Sequence, residues 1–194
     1  ALPIFSLSRI EAEKYRAPDS AVDLSELVAE AEEGTALKIL MDARDEELAA
    51  TVAFVVDREL LTPAIILRAA CLGAMGVVAE VIAYLADVPA KRAREQMFGK
   101  GAGSIRSLHA KAGLPENCYW TLQAACDVVR EEEQDGIRLT PDEFGRKLIE
   151  ILLTRYEAIP MADQPRNLDV VSRFAGERTA RLAKRLKADI LRAA

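Results

Sequence analysis

Histidine is nearly absent from this chain: His109 is the sole one in 194 residues. No carboxylate stands near it in sequence to orient the imidazole, which argues against a locally encoded nucleophile–base pair. Cysteine is scarce as well. Cys71, Cys118 and Cys126 are odd in number and widely spaced. That excludes a paired disulfide framework and, with one histidine, a zinc site. Cys118 and Cys126 fall on what reads as one helix, about 12 Å of rise apart, too far for a disulfide. Such usage points to reduced thiols in a cytosolic protein. Aromatic residues make up only 5% of the chain, whereas alanine and leucine are abundant, a mixture that favours helix over sheet. No apolar run reaches the ~18 residues of a transmembrane helix. The nearest, 65–85, is interrupted by Arg68, Glu80, Tyr84 and two glycines. No secretory signal is visible, and a start at Ala1 rather than Met suggests a processed terminus or a cut fragment.

What the chain does have is helix punctuation. Ser20 and Asp23 open a helix expected to stop at Gly34, with a second over Thr35 to Met41. A third covers Asp45 to Leu60, with Leu48, Val52, Val55 and Val56 facing the core. Thr62-Pro63 starts the next, because threonine caps and proline fits the first turn. Gly73 and Gly76 end it and begin Val77 to Ala86. Asp87-Val88-Pro89 repeats the start signal for a helix stopping near Gly99. Ser104 to Lys111 ends at Gly113, and Pro115 opens a longer helix through Glu133. Thr140-Pro141-Asp142-Glu143 is the strongest cap and predicts one helix through Ile159. The last helix runs from about Leu168 to Leu191.

Short helices joined by short loops pack as antiparallel neighbours. The expected fold is therefore all-α, stacked as an α-solenoid or a compact superhelical bundle, with an irregular bundle as the competing architecture. No strict repeat is legible. The expected organisation is an arm over 1–18, a helical domain over 19–160, and a linker with a capping or partner-binding helix over 161–194. Charge alternates along the chain: net −8 over 1–60, +4 over 61–112, −6 over 113–165 and +5 over 166–194. The whole is mildly acidic, so generic nucleic-acid binding is disfavoured and two basic segments remain as local candidates.

Three runs carry a resemblance: Leu61-Thr62-Pro63 with Leu67-Arg68-Ala69 and Gly73; Val88-Pro89 with Arg92 and Arg94; and Leu108 with Ala112-Gly113-Leu114-Pro115. Over roughly 35–160 they resemble the alphaproteobacterial domain-of-unknown-function family 2336. The resemblance implies a bacterial cytoplasmic protein with a HEAT-like helical-repeat fold, and it implies no reaction. Where that family often has an acidic residue and aromatics, this chain has Ala74, Met75 and Val77.

Four constellations are candidates for chemistry. The glycine-rich run Gly99–Ser104 precedes a helix, and Lys100, Gly101, Gly103, Ser104 and Arg106 form a candidate anion site through backbone N–H groups. Its letters do not follow the P-loop order. His109 reads as a partly exposed helix residue. Glu131-Glu132-Glu133 with Asp135 reads as a solvated helix end, because consecutive helical positions diverge. The last helix places Leu168, Val171, Ala175, Leu182, Leu186 and Ile190 on one face. Phe174, Arg178, Arg181 and Arg185 are candidate partner-binding residues on its basic side. Phe174 and Val170 sit awkwardly there, so either Gly176 breaks the helix or they meet a partner. No catalytic, cofactor or metal site is expected. The expected role is a non-enzymatic protein-binding scaffold or regulatory module, with homo-oligomerisation open. The alternative is a module for a nucleotide or nucleic acid through 91–111 and 166–192; a hydrolase is a distant third.

Overall fold

Apolar stripes and caps translate into helices along most of the described residues. The computed structural model describes residues 24–99, 105–154 and 164–193. Among these there is no strand. The helices are α1 (Leu24–Asp42), α2 (Asp45–Asp57), α3 (Pro63–Cys71), α4 (Met75–Leu85), α5 (Ala90–Phe98) and α6 (Arg106–Lys111). A 3-10 turn at Glu116–Cys118 then leads into α7 (Tyr119–Asp135), followed by α8 (Pro141–Thr154), α9 (Gln164–Phe174) and α10 (Glu177–Ala193). The chain divides into two compact units, Ala1–Ala31 and Glu32–Ala194. Of the first, only the opening of α1 is described. The second holds the core.

Two caps work as their chemistry dictates. The Thr62 hydroxyl accepts from the Ile65 N–H at 3.4 Å, with Pro63 in the first turn. Thr140 and Glu143 form a reciprocal box: the Thr140 hydroxyl accepts from the Glu143 N–H at 3.4 Å, and the Glu143 carboxylate accepts from the Thr140 N–H at 2.8 Å. The Thr140 hydroxyl also donates to that carboxylate at 2.7 Å, and this bond, with the one from the Thr140 N–H, holds the Glu143 carboxyl below its ordinary range. The helix they open is described to Thr154; Ile159 lies outside the described residues, as do Ser20 and Asp23.

Gly34 does not stop its helix. α1 runs through it to Asp42, because an interior glycine costs only about 1 kcal/mol while Ala36, Leu37 and Leu40 bury a helical stripe just beyond it. The expected last helix is two helices, broken at Gly176. The first begins at Gln164, with Pro165 in its opening turn, where proline is tolerated. The break resets the helical phase. The inward line of α10 is Thr179 and Ala183, 2% and 0% exposed. Leu182, Leu186 and Ile190, expected to be buried, are only half-buried against the core. The acidic run also departs from expectation. Glu131 pairs with Lys147 at 3.3 Å, and the Glu132 carboxylate accepts from the Leu139 N–H at 2.7 Å. Glu133 and Asp135 are exposed.

The core is centred on α4. Met75, Val77, Val78, Ala79, Val81, Ile82 and Ala83 are all buried, and α2, α3, α5, α6 and α7 pack against this helix. The turn from α3 into α4 lies on the Phe144 ring. Gly73 sits there at φ +76, and a Cβ would stand 3.1 Å from that ring; both facts call for glycine. All three cysteines are free and buried. Burial pushes the Cys71 and Cys126 thiols up to about 12, so they behave as small apolar packing groups.

α8 and α10 touch through small side chains. A Cβ on Gly145 would lie 2.6 Å from Thr179 Oγ1 and 2.7 Å from its Cγ2. Gly145→Ala therefore gains helix propensity and loses the fit. The overpacking term is the larger, and the variant should lose about 1–2 kcal/mol net in urea unfolding. An unfolding midpoint above the parent's would show that the two helices do not meet there.

Candidate binding groove

The described candidates from the sequence are scattered rather than assembled. Lys100, Gly101, Gly103 and Ser104 lie outside the described residues. Their flanks are well defined. α7 presents Tyr119, Gln123, Asp127 and Arg130 along one side, and this line ties both ends of the glycine-rich run. The Gln123 side-chain oxygen accepts from the Ile105 N–H at 3.1 Å and from the Tyr119 hydroxyl at 3.4 Å. Its amide donates to Asp127 at 3.3 Å, Asp127 pairs with Arg130, and Arg130 Nε donates to the Met97 carbonyl at 3.1 Å. Arg106 is engaged locally: its guanidinium stacks 3.6 Å over the Tyr119 ring and pairs with Glu116. Arg178 reaches Asp142 at 3.5 Å, and Arg181 pairs with Glu177. Arg185 is exposed. Phe174 is on a different helix from these three and is 8% exposed, so the four do not form one surface.

Phase explains where Phe174 goes. On α9, Arg166, Asp169, Val170, Arg173 and Phe174 recur at helical spacing and share one side, while Leu168 and Val171 face the core at 0% exposure. That side borders a groove of about 460 Å³ shared with the start of α3 and the turn before α7. Leu67, Cys118 and Phe174 make its buried floor; Ala64 and Val170 make half-buried walls. Pro63, Pro115 and Asn117 form one rim, and Arg166 and Arg173 the other. The Arg68 and Arg173 guanidinium carbons stand 5.7 and 5.4 Å from the centre of the Phe174 ring, favourable positions over an aromatic face. Among the described residues that line the groove the one acid, Asp169, is paired with Lys187 of α10 at 2.5 Å. Arg166 and Arg173 thus border an apolar floor.

Sequence reasoning flagged Val170 and Phe174 as misplaced but did not find the groove. The missing information was the partner wall, because Leu67 and Cys118 come from elements far from α9 in the chain. Cys118, whose thiol burial pushes up, has no local signal that would place it in a floor.

His109 supports the opposite rim. It was expected to be partly exposed, yet it is 1% exposed. α6 is short and buried on the side that carries Leu108 and His109. The imidazole lies 3.2 Å from the Pro115 carbonyl and edge-on to Tyr119 at 5.4 Å between centroids. Burial lowers its pKa below 6.5, the Pro115 and Glu116 interactions oppose this, and nearby Arg106 adds to it. A lowered imidazole pKa means that the unfolded chain binds more protons between the two values. The associated stability is complete above about pH 6.5 and falls as the pH drops towards the folded-state pKa. Urea midpoints should decline between about pH 7 and pH 5, and that slope should be shallower in His109→Gln. An identical slope in both proteins would show that His109 does not contribute.

Among the described residues, no three His, Cys, Asp or Glu side chains are grouped to hold a metal ion, and no helix is long and apolar enough to cross a membrane. No curated protein and no solved structure matches the chain. A family model described as an uncharacterised protein conserved in bacteria matches residues 12–162, reaching further towards the start than the resembling stretch at 35–160. The chain belongs to that bacterial family, DUF2336.

Proposed function

We propose that the chain is a non-enzymatic binding module of the bacterial cytoplasm that takes a segment of a partner protein in the α3–α9 groove. The observation that carries this reading is the pairing of an apolar floor, made by Leu67 and Phe174, with an arginine rim, made by Arg166 and Arg173. Apolar side chains of a partner fill the floor, and its carboxylates meet the arginines, which hold such groups in forked hydrogen bonds. A volume of about 460 Å³ admits a few side chains, the scale of a short anchoring segment. A HEAT-like stacking is part of the proposal. It is supported by sequence neighbours that pack on one another: α3 on α4, α4 on α5, α7 on α8 and α9 on α10. The cytoplasmic placement rests on three free, buried thiols.

The second reading, a module for a nucleotide or nucleic acid through 91–111 and 166–192, has less support. In the first of those segments Arg94 lies 3.6 Å from Glu80, Arg106 is taken up by Glu116 and Tyr119, and Lys111 donates to the Asp87 carbonyl. In the second, the exposed cations Lys184 and Arg185 are its best support.

The test is retention of proteins from a bacterial lysate on the parent chain and on Arg173→Glu, quantified protein by protein. A discrete set should be retained by the parent and fall at least ~10-fold with the variant, a change of about 1.4 kcal/mol, while the thermal midpoint stays the same. Equal retention by parent and variant would remove the groove as the binding site.

A further inference from the structure

The turn between α6 and α7 forms one side of the α3–α9 groove and rests on a buried ionisable group. Pro115 and Asn117 stand at the rim and Cys118 lies in the floor. The Pro115 carbonyl is the junction. It accepts from the Cys118 N–H at 2.9 Å, which closes the 3-10 turn, and His109 Nε2, which can only donate to a carbonyl, lies 3.2 Å from it. The His109 carbonyl in turn accepts from the Leu114 N–H at 3.3 Å. Little else anchors this stretch. Gly113, Pro115, Glu116 and Asn117 are exposed and Leu114 is half-buried, whereas His109 is 1% exposed. A segment with so few apolar contacts opens at a lower free energy than the core.

The charged surroundings of the ring disfavour a second proton. Arg106 of α6 and Glu116 of the turn are paired with each other, and Tyr119 of α7 stands edge-on to the imidazole. Lys111, also on α6, donates to the Asp87 carbonyl, and the Cys118 thiol is turned to Asn117. α4 packs on α6, but its Glu80 and Tyr84 border α2 and α5 instead. An imidazolium in the closed turn would therefore be desolvated, with Arg106 against it and only the engaged Glu116 in its favour; burial is the larger effect and lowers the His109 pKa. The charge is stabilised once the ring meets water. Lifting the turn achieves that without unfolding the core.

We propose that His109 is an acid-sensitive latch on the α3–α9 groove: the neutral ring holds the Pro115–Cys118 turn in place, and the doubly protonated ring releases the turn, uncovers Cys118 and dismantles the binding surface. Loss of partner binding rests on that groove being the binding site; release of the turn does not. The direction follows from linkage. The closed turn binds fewer protons than the open one, so opening is favoured as the pH falls below about 6.5, and the gain levels off once the closed form is protonated as well.

Cys118 reports the opening directly. The rate at which dithiodipyridine modifies each cysteine of the folded full chain, divided into its rate in the urea-unfolded chain at the same pH, gives a protection factor site by site. Protection of Cys118 should fall about 5-fold or more between about pH 7 and pH 5, while Cys71 and Cys126, buried in the core, keep theirs. In His109→Gln, which takes no proton, Cys118 protection should stay level, and protected Cys71 and Cys126 show that the variant is folded. Arg106→Gln, at an exposed position, removes the cation that opposes the charge and should make the fall smaller. Partner retention by the parent should drop over the same pH range, and retention by His109→Gln should not. Level Cys118 protection in the parent overturns the latch. So does a fall shared by all three cysteines, which is global unfolding, or an equal fall in His109→Gln. A fall at Cys118 with retention unchanged overturns the control of binding. A parent that retains nothing at either pH removes the groove as a binding site, while the Cys118 ratio still decides whether the latch exists.

Discussion

Helix α4 is apolar on nearly every side, and an α-helix of that kind is stable in water only when neighbours cover all of it. Its buried residues run from Met75 to Ala83 with little interruption. α2, α3, α5, α6 and α7 supply the cover, and each apolar side chain removed from water contributes roughly 1.5–3 kcal/mol against the entropy of ordering the chain. The Phe174 groove inherits its geometry from this arrangement. Its α3 wall is fixed because α3 packs on α4.

Polar groups then set the registers that apolar packing leaves loose. Gln123 and Arg130, linked through Asp127, bind the backbone at Ile105 and Met97, so α5 and α6 are held to α7 at defined points. His109 holds the Pro115 carbonyl and with it one rim of the groove. Lys187 on Asp169 ties α10 to α9 at the edge of the groove. Exposed pairs such as Arg44–Glu47 contribute little to stability by comparison.

Local chemistry was legible in the letters wherever one residue decides its own backbone. Thr62-Pro63 and Thr140-Pro141 mark helix starts because hydroxyl and proline act within one turn. Glycine was read less well. Gly34 is overridden by the stripe that follows it, whereas Gly176 ends a helix that the apolar pattern carries through, one of the two alternatives the misplaced Val170 and Phe174 left open. The difference is tertiary: beyond Gly176, Thr179 packs against Gly145, and both Thr179 and Ala183 are buried. The burial of His109 escaped notice because its cover, Pro115 and Tyr119, comes from the next element. The groove was the least legible feature. Residue types on α9 hinted at it, but Leu67 and Cys118 join it only through the fold.

The central claim is that the buried α4 is the element on which the rest depends, and native-state hydrogen exchange tests it most directly. If the account is right, the amides of Met75–Leu85 exchange only through global unfolding, with the free energy that urea denaturation reports and protection above that of α10. If those amides exchange through local openings while α10 stays protected, the core is organised elsewhere and the account is wrong.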